Sequence, residues 1–362
     1  MRAMFYFPQQ IGSNPVSASS LRPLAIREAL SKEVTKLYAI SGDREERKNK
    51  IRELERVIKN GERIDFLYFE NITFPNNWSS GLKGRILYHD IDTSFLLFAK
   101  DHAIPIGYFY RDLYWKFPEL ITEMPKYRRD LFIRDCEYEI ERLAKLVDVL
   151  FLPSNEMSKY IAEYDFKKIV DLPPGLTKHE NSKRNHMRGE LKLVYVGGIG
   201  NHYRFSELFS NIEEGVNILI CGREKEINNI DLNHKQITIE KDIFGYDLEK
   251  RLLDADIGLL FMEPTRYWEF AVPYKLFEYM AYNLPIIASS DTWAGNFVQQ
   301  EGIGWTIPYK NKEFINLTRY LLENRKEIEE KKEQIRKIAP LHTWQARARK
   351  IIETMTKLID IS

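Results

Sequence analysis

The amino-acid sequence predicts an α/β protein with two doubly wound domains that face a central cleft. Short apolar runs alternate with longer amphipathic runs along the chain, a pattern typical of βα units stacked around a parallel sheet. The pattern occurs in both halves of the 362 residues, a length sufficient for two ordinary domains. Between the halves, Pro173–Glu190 reads PPGLTKHENSKRNHMRGE, which is the composition of a linker.

The first half contains six strand candidates, each a short run rich in aromatic and aliphatic residues. They are Ala3–Phe7, Lys36–Ile40, Phe66–Phe69, Arg85–Tyr88, Ile106–Tyr110 and Val149–Leu152. Longer amphipathic runs between them predict helices at Ser20–Leu30, Arg44–Ile58 and Tyr127–Leu146. We therefore expect an N-terminal domain over residues 1–175.

The second half has the same organisation. Its strand candidates are Leu191–Val196, Val216–Cys221, Gln236–Glu240, Ile257–Phe261, Pro285–Ser289 and Trp305–Pro308. Its helix candidates are Arg204–Ile212, Leu248–Ala255, Tyr274–Tyr282, Phe314–Glu323 and Lys326–Ile338. We expect a C-terminal domain over residues 190–340, and ligands beyond the carboxyl ends of the strands of both domains.

Composition excludes several classes of function. The 54 Lys and Arg residues balance 53 Asp and Glu residues, so no global basic field favours nucleic-acid binding. Two cysteines, Cys136 and Cys221, form no disulfide framework, and no His, Cys, Asp or Glu cluster has metal-ligand spacing. The N-terminus does not resemble a signal peptide, and no apolar run is long enough to span a membrane. We expect a cytoplasmic protein without a metal site.

The segment Val272–Ser289, VPYKLFEYMAYNLPIIAS, carries the strongest chemical signal. Lys275 and Glu278 are three residues apart, so they share one face near the start of the predicted helix. A lysine at a helix N-terminus suits a diphosphate, and a carboxylate one turn later can accept hydrogen bonds from ribose hydroxyls. The alternative interpretation is an ordinary surface salt bridge between the two side chains.

This segment resembles the donor-nucleotide segment of GT-B glycosyltransferases, especially family 4. The resemblance continues in order through LKLVYVGGIG, NILICG, LLDADIGLLFMEP, GIGWTIPY and LHTWQARARKII. It implies two Rossmann-like domains, with the nucleotide-sugar donor bound to the second. It also implies that the helix in residues 341–362 crosses back onto the N-terminal domain.

The resemblance assigns donor-binding roles by position. Glu278 would bind the ribose, and Lys275 would hold the diphosphate near the backbone of the glycine loop. The full set of donor-binding residues that it implies is Gly197, Gly198, Gly200, Arg204, Arg223, Glu269, Tyr274, Lys275 and Glu278. Glycines permit close approach of the backbone to the donor, although each could also be a plain strand-ending turn. Arg204 and Arg223 could equally be exposed surface arginines.

One position departs from the family pattern. Family 4 has two glutamates separated by seven residues, and the first position here is Phe270. Either the neighbouring Glu269 replaces the missing glutamate through a loop shift, or the sugar is held differently. The resemblance to family 4 favours retention of the anomeric configuration, and the departure leaves the identity of the sugar and the retaining assignment open.

The N-terminal half is expected to hold the acceptor. In IGYFYRDLYWKFP, a strand candidate delivers Arg111 and Asp112 at its carboxyl end, where a cleft residue would lie. We predict both as catalytic: Asp112 as the general base of an inverting enzyme or as an orienting group in a retaining one, and Arg111 as a neutralising cation. A surface Arg–Asp pair is the alternative. Further acceptor-side candidates, each also compatible with a structural role, are Gly12, Ser13, His89 and Asp90.

We therefore predict a hexosyltransferase of the GT-B type, and the resemblance implies a role in polysaccharide biosynthesis. It would use a UDP- or GDP-linked sugar as substrate, with no cofactor, and a glycan, lipid-linked or small-molecule acceptor. The basic residues of WKFPELITEMPKYRRD favour peripheral contact with the inner membrane face, and a solvated helix face is the alternative. The rival functions are a non-catalytic GT-B partner subunit and a nucleotide-sugar epimerase.

Overall fold

The computed structural model describes residues 1–12, 18–79, 85, 90–177, 189–198, 208–209, 211–224 and 234–359. The chain divides into two compact units. The N-terminal unit comprises Met1–Gly175 together with Trp344–Ser362, and the C-terminal unit comprises Leu176–Thr343. The N-terminal unit is therefore built from two separate stretches of the chain.

The described part of the N-terminal unit contains a parallel sheet of six strands in the order β2-β1-β3-β4-β5-β6. The strands are β1 (Arg2–Tyr6), β2 (Lys36–Ile40), β3 (Phe66–Glu70), β4 (Ile106–Phe109), β5 (Val149–Leu152) and β6 (Ile169–Asp171). The helices are α1 (Ala18–Glu33), α2 (Arg44–Lys59), α3 (Ile91–Asp101), α4 (Lys126–Leu146) and, from the end of the chain, α10 (Trp344–Ile359).

Helix α10 completes the core of this unit. Its residues Ala348, Ile351 and Met355 are fully buried, and the helix packs against α1 and β4. A β-carbon at Gly107 in β4 would lie 2.9 Å from Sδ of Met355, so only glycine lets the helix approach the strand this closely. The central strands are buried on both faces, as parallel strands covered by helices must be.

The C-terminal unit contains a second parallel six-stranded sheet among its described residues, in the order β12-β11-β10-β7-β8-β9. Its strands are β7 (Leu191–Val196), β8 (Val216–Gly222), β9 (Ile237–Lys241), β10 (Ile257–Leu260), β11 (Ile286–Ser289) and β12 (Gly304–Ile307). Its helices are α5 (Gly245–Asp254), α6 (Tyr274–Ala281), α7 (Trp293–Glu301), α8 (Asn311–Glu323) and α9 (Arg325–Ile338).

The two doubly wound α/β units confirm the predicted fold class. Sequence analysis missed the strand β6, which has three residues, and the helices α3 and α7, which have eleven and nine residues. The predicted strand Arg85–Tyr88 is wrong at Arg85, which lies in a helical turn, and its other residues lie outside the described part. The predicted helix Arg204–Ile212 also lies mostly outside it.

A buried ion pair ties β1 to helices α2 and α3. Asp92 and Arg47 are each 1% exposed, and Asp92 accepts hydrogen bonds from Nε and Nη2 of Arg47 at 2.9 and 3.1 Å. The carboxylate also accepts from the hydroxyls of Ser79, at 2.6 Å, and Tyr6. Burial raises the pKa of Asp92, and the Arg47 guanidinium opposes that rise. The pair is fully hydrogen-bonded, as a buried pair must be to be tolerated.

Glu139 of α4 is a second buried carboxyl group, and it predicts a pH dependence of stability. Burial raises the pKa of Glu139 to about 8, although the backbone N–H of Asn76 donates to its carboxylate. The folded protein therefore binds a proton that the unfolded chain releases near the ordinary glutamate pKa of 4.5. Stability consequently falls as the pH rises from about 4.5 towards 8, by up to roughly 5 kcal/mol.

We expect Glu139→Gln to remove that decline, because the amide stays neutral and still accepts the Asn76 hydrogen bond. The measurement is amide hydrogen exchange of α3 and α4 in both proteins across this pH range, corrected for intrinsic exchange. Protection that falls equally with pH in the two proteins would contradict the assignment.

Candidate functional site

The order of the strands places a candidate ligand site in the C-terminal unit. Strand β7 lies between β8 and β10, so the connections from β7 and β10 leave in opposite directions along the sheet. In open α/β sheets ligands bind beyond the carboxyl ends of the strands at such a switch point. Gly197 and Gly198 follow β7 directly, and the chain after β10 leads to α6.

Helix α6 is held in place by its apolar face and by one tyrosine. Leu276, Phe277 and Met280 are buried in the core. The hydroxyl of Tyr279 accepts a hydrogen bond from the backbone N–H of Val196 at 3.0 Å. A β-carbon at Gly258 would lie 2.4 Å from the Tyr279 ring, so glycine in β10 makes room for it. The start of α6 is thus fixed against the end of β7.

Lys275 lies beside the glycine loop as a consequence. Its Nζ donates to the hydroxyl of Tyr195 at 2.8 Å and lies 4.0 Å from the centre of that ring. The same hydroxyl donates to the carbonyl oxygen of Gly198 at 2.6 Å. Tyr195 therefore connects the cation on α6 to the loop after β7.

Gly197 needs to be glycine for two reasons. Its φ is +132°, a backbone conformation that side-chain-bearing residues rarely adopt. A β-carbon there would also lie 2.8 Å from Nζ of Lys275. The absence of a side chain leaves the ammonium next to exposed backbone, which is the arrangement that phosphate-binding loops use.

Glu278 lies one turn after Lys275, on the same face of α6. Burial raises the pKa of its carboxyl group, and the Lys275 ammonium opposes that rise. Among the described residues the carboxylate has no hydrogen-bond partner. A half-buried acceptor without donors is suited to a ligand that brings its own hydroxyl groups.

Comparison with solved structures finds the same architecture over whole chains. HepE from Anabaena, solved with UDP-glucose, superimposes with a TM-score of 0.61 at 11% identity, covering 99% of this chain and 100% of that one. Sucrose-phosphate synthase from Thermosynechococcus elongatus gives 0.62 at 13% identity, with 100% of both chains covered. WaaG, a glycosyltransferase involved in lipopolysaccharide biosynthesis, gives 0.58 at 14% identity over 98% of this chain and 100% of that one.

The chain has the GT-B fold. The comparison with protein-family models finds no match, and no curated protein matches the sequence. Assignment to family 4 therefore stays a prediction, as do the roles of individual residues.

Of the remaining predicted donor residues of this GT-B chain, those that the structure describes follow strands β8 and β10 of the second sheet. Tyr274 is the first residue of α6, and Arg223 is an exposed residue just after β8. Glu269 is exposed, whereas Phe270 is 1% exposed and packs against Tyr267 with ring centres 5.3 Å apart. Phe270, the position at which the family 4 pattern has a glutamate, is therefore part of an apolar contact here. Gly200 and Arg204 lie outside the described residues.

In the N-terminal unit, Arg111 and Asp112 follow β4 as predicted from the sequence. The backbone N–H of Arg111 donates to the Asn71 side chain at 2.8 Å, and Asp112 accepts from the backbone N–H of Leu113 at 2.7 Å. Nη2 of Arg111 lies 3.9 Å from the carboxylate of Glu70. Both residues are half-buried at the carboxyl end of the sheet, and Nε and Nη2 of Arg111 are themselves buried.

The acceptor-side candidates have less distinctive surroundings. Gly12 is exposed, and a β-carbon there would meet nothing within 4 Å, so its position does not require glycine. Asp90 caps α3, accepting from the backbone N–H of Thr93 at 3.0 Å. Ser13 and His89 lie outside the described residues. Within the described ranges, no group of three or more His, Cys, Asp or Glu side chains could hold a metal ion.

Tyr195 is the residue of this site that sequence analysis missed. Its position two residues before Gly197, at the end of the strand, was visible in LKLVYVGG. An aromatic residue in a buried strand is normally core, however, and only the fold shows that its hydroxyl meets Lys275.

Proposed function

We propose that this protein is a glycosyltransferase that moves a sugar from a UDP- or GDP-linked donor to an acceptor hydroxyl. The observation that carries the proposal is the pairing of Lys275, held over Gly197 and Gly198, with the unpartnered carboxylate of Glu278 one turn later. The ammonium matches the diphosphate of a nucleoside diphosphate, and the carboxylate matches its ribose hydroxyls. The solved HepE complex with UDP-glucose, which shares the fold, supports the choice of donor class.

The proposed chemistry stabilises the leaving group. As the glycosidic bond breaks, negative charge grows on the departing diphosphate. The Lys275 ammonium and the N-terminus of α6 would stabilise that charge, an electrostatic contribution that is usually the largest in such sites. The carboxylate of Glu278 would hold the ribose hydroxyls and so fix the diphosphate against the lysine.

The acceptor side and the stereochemistry belong to the same proposal. We place the acceptor hydroxyl near Asp112, which would remove its proton in an inverting reaction or orient the substrate in a retaining one. Retention rests on the resemblance to family 4. The basic N-terminal turn of α4, where Tyr127 is 73% exposed beside Lys126, Arg128 and Arg129, favours peripheral membrane contact. No described helix is long and apolar enough to cross a membrane.

The test is a thermal-shift comparison of UDP, GDP and ADP, each with its 2′-deoxy counterpart. A ligand that binds only the folded protein raises the melting temperature. We expect one base series to stabilise the wild type and its 2′-deoxy form to bind about tenfold more weakly, because one charged hydrogen bond to Glu278 is lost. In Glu278→Gln the difference between ribose and deoxyribose should shrink. No stabilisation by any nucleotide would contradict the proposal.

A non-catalytic GT-B partner subunit is the second candidate, because buried Phe270 occupies the place of the first family glutamate. Donor hydrolysis without acceptor separates the two: an enzyme releases sugar slowly from the nucleotide sugar that stabilises it, and a partner subunit releases none.

A further inference from the structure

Strand β3 leads into two consecutive buried polar residues, Glu70 and Asn71. Glu70 is the last residue of the strand, and the two residues are 0% and 3% exposed, respectively. They lie at the carboxyl end of the sheet beside the neighbouring strand β4, because Glu70 is paired with Phe109. Buried polar side chains are unfavourable unless they make hydrogen bonds or ion pairs. Their partners therefore indicate what this end of β3 does.

Asn71 extends the pairing between β3 and β4 by one hydrogen bond, and it uses its side chain to do so. The backbone N–H of Asn71 donates to the carbonyl oxygen of Phe109 at 3.1 Å. The N–H of Arg111, two residues further along β4, donates to Oδ1 of Asn71 at 2.8 Å. A regular parallel ladder would use the backbone carbonyl oxygen of Asn71 instead. The chain after β3 can therefore leave the sheet while the chain after β4 is still held.

The hydrogen bond from Arg111 fixes a short segment whose other contacts are also well defined. Tyr110 and Leu113, on either side of Arg111 and Asp112, are buried. The carboxylate of Asp112 accepts from the backbone N–H of Leu113 at 2.7 Å. The side chain of Asn71 thus connects β3 to the backbone immediately before Asp112.

Glu70 contacts the side chain of the same arginine. Nη2 of Arg111 lies 3.9 Å from its carboxylate, and Nε of Arg22 in α1 lies 2.7 Å from the same oxygen. The Arg22 guanidinium in turn lies 3.6 Å from the centre of the Phe109 ring. The end of β3 therefore holds Arg111 in two ways, through its backbone by Asn71 and through its side chain by Glu70.

We propose that Asn71 is a positioning residue for Asp112. By accepting the Arg111 N–H, its side-chain oxygen sets where the Asp112 carboxylate lies relative to the acceptor hydroxyl. The inference rests on the proposed function, which places the acceptor hydroxyl near Asp112. An asparagine suits this task because its side-chain carbonyl imitates the backbone acceptor that it replaces. Group transfer is sensitive to such placement, since a shift of about 1 Å can slow a reaction about 100-fold.

The first test measures hydrolysis of UDP-glucose, or of GDP-glucose if GDP is the nucleotide that stabilises the protein. Water takes the place of the acceptor hydroxyl. Its oxygen bonds to the sugar, the bond between sugar and diphosphate breaks with its electron pair leaving on the nucleotide, and one proton is released.

Three variants separate positioning from a general effect on the fold. Asn71→Ala removes the side-chain oxygen, and Asn71→Asp keeps an oxygen at the same place. Asn76→Ala is the matched control, because Asn76 follows the same strand and is 1% exposed, but its side chain accepts from the Tyr108 hydroxyl at 3.4 Å. Rates are measured well below the melting temperature of each variant.

We expect Asn71→Ala to lower kcat for hydrolysis by about 10- to 100-fold. The KM for the donor should stay unchanged, because the proposed donor contacts lie in the C-terminal unit. Asn71→Asp should recover most of the rate, and Asn76→Ala should keep the wild-type rate. An Asn71→Ala variant as fast as the wild type would overturn the proposal. So would an Asn71→Asp variant as slow as Asn71→Ala, because the amide nitrogen would then be the group that matters.

The second test needs no nucleotide. Hydrogen exchange of the Arg111 amide should be about tenfold slower in the wild type and in Asn71→Asp than in Asn71→Ala. Equal exchange in the three proteins overturns this inference alone, whereas a wild type that no nucleotide stabilises overturns the proposed function. If Asn71→Ala does not fold, Asn71→Ser takes its place, because the serine oxygen lies one bond nearer to its own backbone and is withdrawn from the Arg111 N–H.

Discussion

We expect Lys275→Ala to reduce affinity for a nucleoside diphosphate by about 10- to 100-fold while leaving affinity for the monophosphate nearly unchanged. The reason is that in the proposed donor site the ammonium, fixed 2.8 Å from the Tyr195 hydroxyl, would contact the terminal phosphate of the ligand. A charge-assisted hydrogen bond contributes about 1.5–3 kcal/mol. Calorimetric titration of UDP and UMP into both proteins measures the difference directly.

Two variants control this prediction. Lys250→Ala removes an exposed lysine of the same unit, whose Nζ lies 4.3 Å from the centre of the Tyr246 ring, and this variant should bind both nucleotides normally. Tyr195→Phe keeps the charge of Lys275 but removes its hydroxyl partner, so the loss for UDP should be smaller than in Lys275→Ala. An equal loss for UMP and UDP in Lys275→Ala would mean that the lysine acts on the fold rather than on the phosphate.

The second large effect is on stability. Asp92→Ala leaves the Arg47 guanidinium buried without its carboxylate, and breaking a buried pair in this way costs about 3–5 kcal/mol. The hydroxyls of Tyr6 and Ser79 lose their acceptor in the same change. We expect the urea concentration at which the N-terminal unit is half unfolded to be lower in Asp92→Ala than in the wild type.

The matched control replaces both partners. The double variant Arg47→Leu with Asp92→Leu removes the stranded charge, so it should recover a large part of the stability lost in Asp92→Ala. If the loss of stability in the double variant equals the sum of the losses in the two single variants, the ion pair does not account for the loss in Asp92→Ala.

The fold class and part of the site could be predicted because they depend on local patterns. Apolar runs of strand length, separated by amphipathic runs, specified the parallel sheets, and the order of motifs indicated the GT-B fold. Lys275 and Glu278 were identified because their spacing alone places them on one helical face.

Residues whose importance depends on distant contacts were not predictable. Glu70 and Arg22 are 48 positions apart in the sequence numbering, and nothing local shows that Arg22 and Arg111 approach the same carboxylate. Tyr195 reads as an ordinary core tyrosine until α6 is placed against β7. In each case tertiary packing, not local pattern, determines the chemistry.

The division of the N-terminal unit into two stretches has a consequence for how the protein is made. The fully buried residues Ala348, Ile351 and Met355 cover the N-terminal sheet, yet they are synthesised after the whole of the C-terminal unit, Leu176–Thr343. During synthesis the C-terminal unit, which is continuous in sequence, can fold as soon as it emerges from the ribosome. The N-terminal unit cannot complete its core until α10 has been made, so the apolar face that α10 covers stays uncovered until then. The part of the chain that is made first is therefore the last to become native, and it is the part exposed longest to chaperones and proteases.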